Sequence, residues 1–225
     1  MEDDQMPFGD AEFADNAEQR CPCVLLLDTS GSMQGDAIDQ LNKGLATFAR
    51  ELAGDSLAAK RVDIAVLTFG QKVDTVCQFG TVETFQPPLL AAGGGTPMGE
   101  AVERGLDLLE ARKSQYRENG IAYYRPWVFL ITDGAPTDKW QRAARRIADA
   151  EHRKQVAFYA VGVEGANMDM LGELSVRTAL RLHGLAFAEL FRWLSSSLGS
   201  VSRSSPGQAI ALANPAAPGG WATVD

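Results

Sequence analysis

The sequence predicts an α/β domain built on a doubly wound, mainly parallel sheet with one antiparallel edge strand and helices on both faces. Two observations carry this reading. Short aliphatic runs alternate along the chain with amphipathic stretches, the pattern of strands joined by covering helices. Residues 62–69 and 73–79 form two such runs with only Gly70-Gln71-Lys72 between them. A parallel pair needs a crossover of a dozen residues or more, so this pair is an antiparallel hairpin.

The remaining elements follow in order. Val24, Leu25, Leu26 and Leu27 make an unbroken aliphatic run, as expected of a central strand buried on both faces. Ile38, Leu41, Leu45, Phe48 and Leu52 recur at steps of three and four, which places them on one side of a helix. After a loop with Pro87, Pro88 and glycines at 93–95, Pro97 suits a first helical turn, and Met98, Ala101, Val102, Leu106 and Leu109 form the apolar side of that helix. Residues 127–132 read as another buried strand, 139–154 as a basic amphipathic helix and 156–163 as a further strand. A short strand at 179–182 and a helix carrying Phe187, Leu190, Phe191, Leu194 and Leu198 close the pattern. In such sheets ligands bind outside the carboxyl ends of the strands, where strand order reverses. The functional residues are expected there.

A chain of 225 residues with 45% hydrophobic content is the size of one core with tails. Residues 1–20 hold seven acids against Arg20 alone, a charge of −6 out of the total −8. Lacking periodicity, they read as a flexible acidic arm in which Phe8 and Phe13 are the groups able to dock. The domain proper is assigned to 21–202, and 203–225 to a Pro/Ala/Gly-rich extension whose Trp221 is expected to pack on its own domain. With the arm set aside the chain carries only −2, which argues against a broad basic footprint for nucleic acid or an anionic membrane. No stretch reaches the ~20 apolar residues of a membrane span, and the acidic start is unlike a signal peptide. A cytoplasmic protein is the expectation. Cys21, Cys23 and Cys77 are an odd number in a long chain, hence reduced thiols, and Cys21-Pro22-Cys23 is too tightly spaced for a zinc knuckle.

The chemistry lies at the strand ends. The first buried strand runs into Asp28-Thr29-Ser30-Gly31-Ser32, so a carboxylate and two serine hydroxyls emerge together. Gly31 lets that loop bend tightly enough to bring the two hydroxyls to one point. Thr96 closes the glycine run, and Asp133 ends the 127–132 strand. Oxygen donors of this kind suit Mg²⁺ or Mn²⁺, and no imidazole or thiolate joins them to favour zinc or copper.

Asp28-x-Ser30-x-Ser32, then Thr96, then Asp133 resemble the metal-ion-dependent adhesion site of von Willebrand factor A domains, over roughly residues 22–200. The stretches 25–33, 94–99, 193–195 and 200–204 look most like those of bacterial TerY-type proteins of tellurite-resistance and stress-response clusters. The resemblance implies that Ser30, Ser32 and Thr96 are metal ligands, while Asp28 and Asp133 hold coordinating hydroxyls and waters. It also implies a protein-interaction module whose cation takes a partner's carboxylate, in a complex with a kinase or a PP2C-type phosphatase. A subunit for an AAA-type ATPase is the alternative binding role. An Mg²⁺-dependent phosphatase with Asp28 as nucleophile is the enzymatic alternative, and it is disfavoured. Ser30 stands where phosphatases of the haloacid-dehalogenase type place a second acid, and His152 lies a helix length from the site. The chain is therefore read as a non-enzyme. Asp149 and Glu151 interleave with the basic residues of 139–154, which reads as a solvated helix face.

Overall fold

The computed structural model describes residues 8–224. Seven strands form one sheet: β1 (Cys21–Asp28), β2 (Val62–Phe69), β3 (Val73–Thr81), β4 (Trp127–Thr132), β5 (Ala157–Gly162), β6 (Leu180–Leu182) and β7 (Ala222–Thr223). Their spatial order is β3-β2-β1-β4-β5-β6-β7. The pairs β1–β2, β1–β4, β4–β5 and β5–β6 are parallel, and the β2–β3 hairpin is antiparallel as the short link requires. One expectation needs correcting: the far edge is antiparallel too, because β7 from the C-terminal extension pairs with β6. The helices are α1 (Phe8–Asp15), α2 (Asp36–Ala53), α3 (Ser56–Arg61), α4 (Met98–Glu118), α5 (Gln141–His152), α6 (Met168–Leu174) and α7 (Phe187–Ser202).

Both faces of the sheet are covered, and the two-residue period of β1 sorts its side chains between them. Leu25 and Leu27 join the core under α2 and α7, where the Phe48 and Phe191 rings stand 5.5 Å apart. Val24 and Leu26 join the opposite core with Val102, Leu106 and Ile147 of α4 and α5. Every residue of β1 and β2 is buried, which is why the runs read as continuous apolar segments. The buried thiols of Cys21 and Cys23 are free, and burial pushes both well up from the ordinary cysteine range. The chain passes from β1 to β2 on one side and later lays β4 on the other, so strand order reverses at β1.

The amino-terminal tail does not behave as its composition suggests. Instead of a flexible arm, helix α1 docks at the amino end of β2. Phe13 is buried edge-on against Tyr116 at 5.8 Å, and Glu12 pairs with the buried Arg112 at 2.6 Å. One aromatic and one ion pair hold the helix, and neither leaves a periodic trace. Residues 1–7 and the side chain of Phe8 lie outside the described residues. At the other end Trp221 packs on its own domain as expected, 5.6 Å from Trp193, which in turn stacks on Trp127 at 6.5 Å. The Trp193 indole donates to the Ala213 carbonyl at 2.7 Å, fastening the extension across α7. Among the described residues no helix is long and apolar enough to cross a membrane.

Candidate metal centre

Three loops meet at the carboxyl ends of β1 and β4, where strand order reverses. They are stitched to each other through the backbone. The Thr29 amide donates to Phe69 at 2.8 Å, Gly93 to Thr29 at 2.8 Å and Gly31 to Gly94 at 3.0 Å. Gly94 has φ +87°, and a Cβ there would stand 2.4 Å from the Gln71 nitrogen. Only glycine fits a left-handed turn pressed onto another backbone. Gly94→Ala should therefore lower stability by about 1–3 kcal/mol and shift Thr96, read as a lower midpoint of urea unfolding.

The side chains that the sequence singles out come together. Asp28 is fully buried, with Oδ1 accepting the Ser30 amide at 2.7 Å and Oδ2 the Thr132 hydroxyl at 2.5 Å. The Ser30 and Ser32 hydroxyl oxygens are 3.0 Å apart, and Ser32 donates to Asp133 Oδ1 at 2.7 Å. Thr96 belongs to the same cluster. A Cβ placed on Gly134 would lie 3.4 Å from Thr96 Oγ1 and 3.9 Å from Asp28 Oδ2, so both oxygens face one small space. Thr96 itself is buried.

Burial raises the Asp28 carboxyl above the usual range; the hydrogen bonds from Ser30 and Thr132 work against this, while the nearby Asp133 charge adds to it. A buried carboxyl raised by its surroundings, a second carboxylate beside it and two apposed hydroxyls are what a hard divalent cation would relieve, and the donor set fits one. Ser30, Ser32 and Thr96 would hold it, with Asp28 and Asp133 orienting the hydroxyls. Among the described residues no cluster of three or more His, Cys, Asp or Glu offers an alternative of the zinc-finger kind.

Three positioning residues escape the sequence reading. Thr132 locks Asp28 and also accepts the Gly134 amide at 3.1 Å. Thr137 ties the third loop to the second, its amide donating to the Thr96 carbonyl at 2.9 Å while its hydroxyl accepts the Thr96 amide at 3.1 Å. Asp138 accepts the Gly99 and Glu100 amides at 2.9 and 2.8 Å, capping the amino end of α4. Hydroxyl- and acid-rich character at 132–138 is the only trace these leave in the sequence. The supposedly solvated basic face of α5 is partly turned onto α4, where Arg146 pairs with Glu103 and with Asp107 at 2.7 Å.

The family model for the von Willebrand factor type A domain matches residues 23–188. No curated protein matches the chain. Among solved structures, the pilus adhesin SpaC from Lactobacillus rhamnosus GG is similar with a TM-score of 0.66 at 13% identity, over 83% of this chain and 32% of the adhesin. Proximal thread matrix protein 1 from the mussel byssus, with a zinc-occupied MIDAS motif, is similar with a TM-score of 0.55 at 18% identity, over 81% of this chain and 48% of its own. The ArnB paralog VWA2 from Sulfolobus acidocaldarius gives 0.50 at 17% identity, over 79% of this chain and 44% of its own. The chain thus spans less than half the length of each of these three structures.

Proposed function

The chain belongs to the von Willebrand factor type A domain family, and from that premise we propose that it is a metal-dependent protein-interaction module. Its cation is held by Ser30, Ser32 and Thr96 and completed by a carboxylate from the partner. The observation that carries this reading is the layering of the site. Asp28 has both oxygens engaged by Ser30 and Thr132, and Asp133 engages Ser32, so the carboxylates stand behind the hydroxyls. Neutral direct ligands leave a dication under-neutralised and receptive to an outside carboxylate. Mg²⁺ or Mn²⁺ is the ion best suited to these oxygens, and the zinc in the mussel protein's motif makes zinc the competitor to test.

The same geometry favours binding over catalysis. An Asp28 saturated by two hydrogen bonds is a poor nucleophile. His152 ends the 12-residue helix α5, about 17 Å from its start beside the site at ~1.5 Å per residue. We place the module in the cytoplasm, with Cys21, Cys23 and Cys77 all free, as part of a TerY-type stress-response complex with a kinase or PP2C-type phosphatase partner. The wording of 25–33 and 94–99 supports that finer assignment.

The test is capture of partners from cell extract by wild type and Ser30→Ala, with Mg²⁺ or with EDTA. A kinase or phosphatase retained only by wild type with Mg²⁺ is the expected result. An AAA-type ATPase in its place would move the protein to the alternative complex. Retention unaffected by EDTA and by Ser30→Ala would sink the metal-dependent role.

A further inference from the structure

A second site lies at the opposite edge of the sheet. An open cleft of about 910 Å³ runs between the amino ends of β4 and β5, the last turns of α4 and residues 207–212 of the extension. Its volume is that of a small-molecule site. Its charge is lopsided: Lys113, Arg117, Arg125, Lys154 and Arg177 line it against one lining carboxylate, Glu110.

The cations are under-partnered. Glu110 answers Lys113 at 2.6 Å, and the buried Glu151 is shared between Arg125 at 2.5 Å and Arg177 at 2.7 Å. Five cations against these two carboxylates leave an excess of three. Among the described residues Arg117 has hydroxyl partners only, Ser114 at 2.8 Å and Tyr123 at 3.4 Å. Lys154 has no ion-pair partner among the described residues, and it is the one non-glycine residue among them at positive φ, +55°. That conformation is costly for lysine.

A chain of net charge −8 thus holds a local excess of positive charge in one concave place. Arg142 and Arg146 of α5, by contrast, are matched by Glu103 and Asp107. Tyr123, Trp127 and Tyr159 add aromatic faces to the lining.

We propose that this cleft binds a small ligand carrying two or more phosphate groups, either free polyphosphate or the phosphate tail of a nucleotide. The guanidinium fork of Arg117 and the ammonium of Lys154 are the groups suited to phosphate oxygens, and a multiply charged anion matches the excess of cations. Outside the cleft the chain is more negative still, which disfavours a nucleic-acid strand as the occupant.

The test is calorimetric titration of the full chain with tripolyphosphate, ATP and orthophosphate, in EDTA so that the metal centre takes no part. Tripolyphosphate should saturate and bind more tightly than orthophosphate. Arg117→Ala combined with Lys154→Asn should weaken it at least about tenfold, with asparagine chosen because it tolerates positive φ. Lys43→Ala, removing an exposed cation of α2, should leave it unchanged. Preference for ATP over tripolyphosphate assigns the nucleotide, and equal affinity the free polyphosphate. Independently of any variant, tripolyphosphate should protect Lys154 but not Lys43 of wild type from amine acylation. No saturation by about 10 mM, equal weakening by Lys43→Ala, an affinity unmoved in the double variant, or unprotected Lys154 would overturn the site.

Discussion

Asp28→Asn should weaken divalent-cation binding by about 10–100-fold and yet leave the metal-free protein as stable as wild type, or more so, near neutral pH. The first half follows from geometry. Asparagine keeps one oxygen for the Ser30 amide but sets an NH₂ group where Asp28 Oδ2 meets the Thr132 hydroxyl. The framework that presents the serine hydroxyls then loses a charge and one of its two anchors. The second half follows from burial, which lifts the Asp28 carboxyl above its unfolded value, with Asp133 adding to the effect and the hydrogen bonds opposing it. For an acid raised in the folded state, stability declines as pH climbs from the unfolded pKa through the folded one, and the full penalty applies above that window. Neutral asparagine carries no such penalty. Mg²⁺ or Mn²⁺ should accordingly raise the thermal midpoint of wild type, progressively less as pH falls through that window, and raise that of Asp28→Asn by less at the same concentration. A variant that is both destabilised and normal in cation affinity would show that Asp28 is a structural residue.

Arg112→Met should cost about 3–5 kcal/mol of folding stability, the usual penalty for stranding a buried charge. Asp63 is fully buried at the start of β2 and accepts from Arg112 Nε at 2.8 Å and from the Tyr116 hydroxyl. Arg112 also reaches Glu12 at 2.6 Å, and its guanidinium lies 4.8 Å from the Phe13 ring centroid. Removing the arginine therefore leaves an uncompensated carboxylate and unfastens α1. Because the penalty comes from the orphan, Asp63→Leu with Tyr116→Phe in the same chain should recover most of it. Urea unfolding of the single and triple variants decides the matter. The network lies at the amino edge of the sheet, so the cation affinity of folded Arg112→Met should equal that of wild type. A loss of affinity would mean that the two edges are coupled.

The parts of the fold legible in the sequence are those whose burial is repetitive. β1 and β2 announce themselves because both faces are covered, and the hairpin because three residues leave no other geometry. The candidate site is legible for a different reason: each of its five residues ends a strand, lies within two residues of a strand end or follows a glycine, and parallel strands point their ends one way. What escapes is single-contact or non-local. α1 rests on Phe13 and one ion pair, and β7 is two residues long and exists because Trp221 is seated on Trp193. Asp138 caps a helix whose first residues lie about forty positions earlier, and no periodicity reports such a bond. The cationic cleft is assembled from α4, the turn after α5 and the loop at Arg177, so only the folded chain brings its charges together.

The seating of Trp221 gives the molecule a built-in optical probe. Trp127, Trp193 and Trp221 form one contiguous indole array linking a central strand, the last helix and the tail. The fourth, Trp140, precedes α5 beside the turn that opens α4. Ultraviolet emission from this chain therefore comes from two sources at opposite edges of the sheet. Replacing Trp140 with phenylalanine silences the source near the cation loops, and the remaining signal then reports whether the tail is seated or released.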